Sequence, residues 1–232
     1  MNNRIILFLI VLIIFSCDRN KYSPVDLKTE YSVNPLGIDT DFTRFSWKLP
    51  ENSNVKTQLF YQVLVTENVM DLKKSKSIVW DSGKIKSDLN LVVFDGKKLL
   101  SNTRYYWVVR VWDDKGNESS YSKYSSFKTG IKDNWNAKWI TDKEDIDEKR
   151  APYFKKEFKT HSAVQQATVY IGSAGLHNFK LNGKKVGDEF MNPIYTRFDK
   201  RILYNTYEVT DLLKSNNIID IVLGNGWINH QS

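Results

Sequence analysis

The sequence predicts an all-β protein built as two antiparallel sandwiches in tandem, the second incomplete. Three observations predict it. Between Leu27 and Thr129 the chain falls into about seven short strand-like runs separated by turn residues, with no helical periodicity of useful length. From Pro152 the same texture resumes, with Asn182-Gly183 as a hairpin signal. Its last apolar run, Ile218 to Leu223, meets Gly224-Asn225-Gly226-Trp227, a turn that ordinarily leads into more chain. One sheet face is therefore expected to lack its full partner, which leaves an apolar surface and a strand edge open.

The first element is an address. Asn2-Asn3-Arg4 is polar and positive, and Ile5 to Phe15 holds only Ile, Leu, Val and Phe. That run is too short to span a bilayer as a helix, which takes about 20 residues. Ser16 and Cys17, the one cysteine of the chain, follow directly. This is the layout of a bacterial secretory signal ending in a lipobox, Ile14-Phe15-Ser16-Cys17. Cleavage before Cys17 and acylation of its thiol and new amine would hold the chain to a membrane face without spanning it. The expected location is the bacterial cell envelope, at the outer membrane, its periplasmic face or the cell surface. An ordinary signal peptide with an incidental cysteine is the alternative.

Removal of Arg4 with the signal leaves 33 of the 34 basic residues against 27 acidic ones, a formal charge of +6. The basic residues are scattered as single Lys and short Lys pairs. Such charge is a solvated surface with a weak bias towards anionic membranes or polymers, and excludes a nucleic-acid stripe. With Cys17 acylated, no thiol remains for disulfides or thiol chemistry. Stability must come from apolar burial, for which 7 Trp, 12 Tyr and 12 Phe are available.

Residues 18–26 form a short polar tether, and the first sandwich is expected over 27–130. In Phe42 to Leu49, Phe45 and Trp47 share one face and Ser46 and Lys48 the other. Leu59 to Thr66 is β-branched and aromatic. Ile78 to Lys84 runs into the turn Asp81-Ser82-Gly83, and Leu91 to Phe94 meets Asp95-Gly96. Tyr105 to Asp113 is the strongest strand signal, and Asp114-Lys115-Gly116-Asn117 returns it into Tyr121 to Lys128. Leu99, Thr103 and Tyr105, followed at period two by Trp107, Val109 and Val111, resemble the corner and next strand of a fibronectin type III or immunoglobulin-like domain. There the leucine plugs the core and the tyrosine hydroxyl ties back to nearby backbone. Trp47, Tyr105 and Trp107 are therefore expected in the core, while Trp112 and Tyr106 fall on the opposite face.

Residues 131–150 form a linker whose Trp135 and Trp139 are expected to pack into an interdomain seam. The second domain, 151–232, offers strands at Tyr153 to Phe158, Ala167 to Ile171, Asn178 to Leu181, Ile202 to Val209 and Ile218 to Leu223, with one helical turn at Asp211 to Lys214.

These residues together resemble the N-terminal region of bacterial α-L-rhamnosidases. In the first domain the resemblance rests on Asn34-Pro35-Leu36-Gly37-Ile38-Asp39, Arg44-Phe45-Ser46-Trp47, Val79-Trp80-Asp81-Ser82-Gly83-Lys84 and Tyr106-Trp107 through Trp112-Asp113. In the linker it rests on Ala137-Lys138-Trp139-Ile140. In the second it rests on Leu181-Asn182-Gly183-Lys184, Asn192-Pro193, Tyr207-Glu208-Val209-Thr210-Asp211 and Gly224-Asn225-Gly226-Trp227. The Asn-Gly turn and the Val-Thr-Asp stretch also resemble galactose-binding-like (jelly-roll) accessory domains. The resemblance implies a fibronectin-like domain, then a β-sandwich that helps substrate recognition, then a large (α/α)₆ barrel. In the family that barrel carries the carboxylates that hydrolyse terminal α-L-rhamnosyl linkages with inversion.

No stretch here reads as such a barrel, so no catalytic residue is expected in this chain. Asp81, Asp95, Asp113 and Asp114 sit at turns, where short carboxylates satisfy backbone N–H groups. Glu144, Asp145, Asp147 and Glu148 form a charged linker patch. His161, His177 and His230 are isolated, without metal-ligand spacing, so neither a metal nor a cofactor is expected. The expected function is the non-catalytic N-terminal portion of a secreted, lipid-anchored α-L-rhamnosidase-like hydrolase. Its barrel would come from a continuation of the chain or from a separate polypeptide. The alternative is a stand-alone, membrane-anchored module that binds a rhamnose-containing glycan. Its candidate contacts are the loop residues Asn192, Tyr195, Arg197, Asn225 and Trp227, since sugars are held by aromatic faces and planar polar groups. Against that reading, Asn192-Pro193 and Asn225-Gly226 are simply turns.

Overall fold

The computed structural model describes residues 22–51, 53, 55–74, 76–131, 135–142, 150–224 and 226. The strands are β1 (Val25–Thr29), β2 (Arg44–Lys48), β3 (Gln58–Thr66), β4 (Ile78–Asp81), β5 (Ile85–Lys86), β6 (Leu91–Val93), β7 (Arg104–Asp113) and β8 (Ser125–Lys128) in the first domain. The second carries β9 (Tyr153–Lys159), β10 (Thr168–Gly172), β11 (Leu176–Leu181), β12 (Lys184–Lys185), β13 (Tyr204–Glu208) and β14 (Asn216–Gly224). One short helix, α1 (Val69–Lys74), lies between β3 and β4.

In the first domain a β1-β2-β6 sheet packs on a second sheet ordered β4-β3-β7-β8, with β5 also paired to β3. Alternation decides what lies between them. Phe45 and Trp47 from β2, Val63 and Val65 from β3, and Trp107, Val109 and Val111 from β7 are all essentially buried. Phe45 sits at the centre, 4.7 Å from the Trp107 ring and 5.6 Å from that of Phe127. The Trp47 indole N–H donates to Gln58 Oε1 at 3.0 Å, and that of Trp107 to Thr29 Oγ1 at 3.1 Å. Both core tryptophans thus keep their one polar atom satisfied. The expected corner is present: Leu99 is buried and the Tyr105 hydroxyl accepts the Leu100 N–H at 2.9 Å.

Three details differ from the sequence reading. β1 begins at Val25, inside the span read as tether. The helix α1 has no apolar period long enough to announce it, but Asn68 Oδ1 caps it by accepting the Met70 N–H at 3.0 Å. β8 begins at Ser125, although the pattern suggested Tyr121. Upstream of it, Ser119 and Ser122 hydroxyls accept the Val111 and Val109 N–H groups at 3.0 and 3.1 Å. Side chains there replace part of the regular ladder. Trp112, on the outer face, is nevertheless buried, because Lys84 and Arg110 lie over its ring at 4.3 and 5.0 Å.

The second domain pairs unequal layers. A four-stranded sheet, β12-β11-β14-β9, faces a sheet of only β10 and β13. Asn182 and Gly183 carry positive φ, 53° and 79°, in the tight turn between β11 and β12. Buried Asn217 accepts the Lys214 N–H at 2.8 Å and the Asn182 Nδ2–H at 3.0 Å. That network ties the 3-10 turn Thr210–Leu212 to the sheet through the Asn182 amide, which also donates to the Leu212 carbonyl.

Candidate functional site

The two strands β10 and β13 use their opposite faces for different work. Their register sets Thr168 against Glu208, Tyr170 against Thr206 and Gly172 against Tyr204 on one face. On the other face it sets Val169 against Tyr207 and Ile171 against Asn205. The second set turns to the domain's own core, where Ile171, Tyr207 and the more exposed Val169 pack with Phe179 and Leu181. The first set meets the first domain. The Tyr204 hydroxyl donates to the Asp39 carboxylate, 2.8 Å from each oxygen. Arg104 pairs with Glu208 at 2.9 Å, Lys128 donates to Thr168 Oγ1, and the Tyr170 hydroxyl donates to Asn102.

Backbone approach at this seam is close. A Cβ on Gly37, whose φ is +74°, would lie 2.5 Å from Thr206 Oγ1. One on Gly130 would lie 1.9 Å from the Tyr204 hydroxyl and 2.2 Å from Asp39 Oδ1. The segment carrying Gly37 and Asp39 is held on β8: Lys128 N–H donates to Pro35 O, and Ile38 N–H to Lys128 O at 2.9 Å. Burial, then the bond to Asp39, pushes the Tyr204 phenol well above its usual range. Burial alone would also raise the Glu208 carboxyl. Hydrogen bonds from Thr210 and Gln166, with the charges of Lys128 and Arg104, outweigh it and hold that carboxyl low.

Of the two linker tryptophans, Trp135 joins the seam, its ring edge-on to Tyr204 at 5.1 Å and to Tyr170 at 6.4 Å. Trp139 is 70% exposed and only its ring edge nears Gly172, so its expected seam role is not met. It stands instead at the mouth of an apolar slot of about 580 Å³. The slot is lined by Val169 to Gly172 of β10, by Ile202 and Tyr204, by Ile219 and Ile221 of β14, and by the linker residues Trp135, Ala137 and Lys138 beside Trp139. A more open polar cleft of about 690 Å³, lined by Asn102, Arg104, Tyr106, Gln166 and Glu208 among others, lies between the domains.

Asn192, Tyr195 and Arg197 lie on the long loop between β12 and β13. The Asn192 carbonyl accepts the His177 N–H at 2.9 Å, in a turn with a cis Asn192–Pro193 bond. Tyr195 packs edge-on to Phe198, and Arg197 forks onto Asp199 at 2.6 and 3.1 Å. Local partners thus engage each of the three. Cys17, Asn225 and Trp227 lie outside the described residues. His177 is a core-edge residue: Nδ1 is 2.9 Å from Ser173 Oγ and Nε2 3.1 Å from the Tyr207 hydroxyl. Burial holds its imidazole below the usual range. Asp81 accepts from Gly83 N–H and Gln62, and Asp113 from Lys115 N–H, Asn117 N–H and Asn117 Nδ2. These two carboxylates close turns. Among the described residues no group of three or more His, Cys, Asp and Glu is placed to hold a metal.

Comparison with known proteins assigns both halves. Residues 24–133 match the family described as the Rha78A-like, N-terminal immunoglobulin domain, and residues 162–232 match the alpha-L-rhamnosidase N-terminal domain. The chain matches the N-terminal region of the α-L-rhamnosidases. An α-L-rhamnosidase of Formosa agariphila is 32% identical over 95% of this chain, which covers 26% of that protein. The structure of the α-L-rhamnosidase from Dictyoglumus thermophilum superposes with a TM-score of 0.82 at 37% identity, over 89% of this chain and 25% of that one. That from Aspergillus terreus superposes with a TM-score of 0.68 at 25% identity, over 88% and 24%. The chain therefore spans about a quarter of the length of these α-L-rhamnosidases. In this rhamnosidase-type pair of domains, the residues that sequence reasoning passed over are those of the seam. Asp39 and Gly37 stood in a quoted motif without a role, and the alternation of Tyr204, Thr206 and Glu208 against Asn205 and Tyr207 was the available signal.

Proposed function

We propose that this chain is the non-catalytic, substrate-recognising and scaffolding part of a secreted, lipid-anchored α-L-rhamnosidase-like glycoside hydrolase. The observation that carries the reading is the match of both domains to the start of proteins four times as long. The seam supports it, since Gly37, Gly130, Asp39 and Tyr204 hold the two sandwiches as one block on which a larger assembly can be built. Hydrolysis of a rhamnoside needs a proton donor and a water-activating carboxylate. Asp81 and Asp113 are both committed to turns. The barrel is supplied by a continuation or by a separate polypeptide. The anchor is Cys17, and the location is the cell envelope. The glycan class is rhamnose-containing, met by the loop of Asn192, Tyr195 and Arg197 with Asn225 and Trp227.

The purified chain is expected to leave p-nitrophenyl α-L-rhamnoside uncleaved. Cleavage abolished by one substitution within the chain would overturn the reading. Cys17→Ser is expected to move the chain from the membrane to the soluble fraction, and retention on the membrane would remove the anchor.

A further inference from the structure

Where β7 begins, its outer face meets the second domain. Tyr105 and Trp107 point into the first core, so Arg104 and Tyr106 stand together on the outside, two residues apart. Glu208, the last residue of β13, accepts from Arg104 Nη2 at 2.9 Å, and both residues line the polar cleft of about 690 Å³. The cleft lies at the far end of β13 from the loop that carries Asn192, Tyr195 and Arg197.

The ion pair is set in advance. Glu208 Oε2 also accepts the Gln166 amide at 3.2 Å, and its Oε1 accepts the Thr210 hydroxyl. Thr210 Oγ1 in turn accepts the Ala167 N–H at 2.8 Å. Donors from both domains thus fix the carboxylate, and the carboxylate fixes the guanidinium. Arg104 has five N–H donors, yet among the described residues it makes one hydrogen bond. The rest are left for a ligand. Glu67 and Asp211, both exposed, line the cleft and make no ion pair among the described residues. Tyr106 adds one aromatic ring, itself edge-on to exposed Tyr124 at 5.8 Å.

Size and lining select the ligand. The volume falls in the range of small-molecule sites, about 300–1,000 Å³, but the lining lacks the apolar walls by which such sites hold a hydrophobic ligand. It offers carboxylate and amide acceptors, guanidinium and amide donors, and a ring. A polyhydroxylated sugar ring satisfies that set, because each hydroxyl both donates and accepts while its C–H face can lie on an aromatic. Charge then separates neutral from acidic sugars. Glu67, Glu208 and Asp211 outnumber Arg104 and nearby Lys128, so a further carboxylate would be repelled.

We propose that the cleft between the two domains is a binding site for a neutral, hydroxyl-rich saccharide, with Arg104 and Glu208 holding hydroxyls and Tyr106 against the sugar ring. The ligand class follows from the lining, so the inference goes beyond the rhamnose reading and adds a contact apart from the loop after β12.

The test titrates the purified chain with the neutral disaccharides rutinose, lactose and cellobiose, of which rutinose alone carries rhamnose, and follows backbone amide shifts by NMR. Millimolar binding of at least one is expected, with shifts centred on Arg104, Tyr106 and Gln166. Tyr106→Ala is expected to weaken it roughly tenfold. Because Tyr106 is half-buried, Glu67→Gln, at an exposed position, serves beside it and is expected to weaken binding roughly threefold with an unchanged circular dichroism spectrum. Binding of none of the disaccharides overturns the proposal, as do shifts confined to the loop of Asn192, Tyr195 and Arg197, or full affinity in either variant. Tighter binding of digalacturonic acid than of any neutral sugar overturns it as well. Failure of the functional reading shows differently: lactose or cellobiose seated in the cleft with rutinose excluded supports the site and counts against a rhamnose-containing glycan.

Discussion

The residues that matter most here are polar groups placed where burial makes their partners decisive. Tyr105 is buried, and its hydroxyl serves the Leu100 N–H. Tyr105→Phe is expected to cost the first domain about 1–2 kcal/mol, read as a lower urea midpoint at unchanged slope. His177 is held neutral between Ser173 and Tyr207, and burial lowers its imidazole from the ordinary 6.5. The unfolded chain therefore takes up a proton that the folded domain resists. Stability is fully present above about pH 6.5 and falls as pH drops from there towards the lower folded value. Thermal melts of the second domain across that window are expected to show the loss, and His177→Gln to flatten it. An unchanged slope in the variant would assign the pH dependence to other groups.

Among the elements, β7 and its neighbours show how far local pattern reaches. Alternation along Arg104–Asp113 names its buried face directly, and Trp107, Val109 and Val111 obey it. The same rule puts Trp112 on the outer face, where it is buried not by apolar packing but under the cations of Lys84, from the β4–β5 turn, and Arg110 of its own strand. The strand expected from Tyr121 is shortened for a similar reason: the Ser119 and Ser122 hydroxyls take over N–H groups of β7. Ser122→Ala leaves the buried Val109 N–H without that acceptor and is expected to cost about 1–3 kcal/mol. Faster amide exchange at Val109, with Val63 across the sheet unaffected, would locate the loss. The turn Asn182-Gly183 was legible because few residue pairs adopt positive φ in succession. The helix α1 was not, because six residues are too few to display a period.

The whole molecule is a pair of sandwiches joined face to edge, one finished and one half-layered. Gly130 is where the joint is tightest, since any side chain there would strike Tyr204 and Asp39. Gly130→Ala is expected to part the domains, so that one calorimetric transition becomes two. A single transition in the variant would show that the joint does not depend on Gly130. The unequal layers of the second domain carry a second expectation: residues 150–232 should melt less cooperatively than residues 27–130. A sharp independent transition of 150–232 would contradict the open slot. Among the candidate site residues, the loop position of Asn192, Tyr195 and Arg197 could be read from the chain. Their local partners could not, because Asp199 and Phe198 are close in sequence yet meet them only through the path of the loop.

Sequence alone determined the faces. A period of two along short runs, broken by glycine, asparagine and aspartate, requires strands, and it sorts Phe45 from Ser46 and Ile171 from Tyr170 before any fold is known. Tertiary structure decided what each face meets. The polar face of β10 and β13 looks, in sequence, like any solvated one; Asp39, Asn102, Arg104 and Lys128 cover it from 40 to 170 residues away. The apolar face of β14 looks like any core strand, yet its cover stops partway. The reason is physical: alternation is a local property of one backbone, whereas the layer that buries a face belongs to chain remote in sequence.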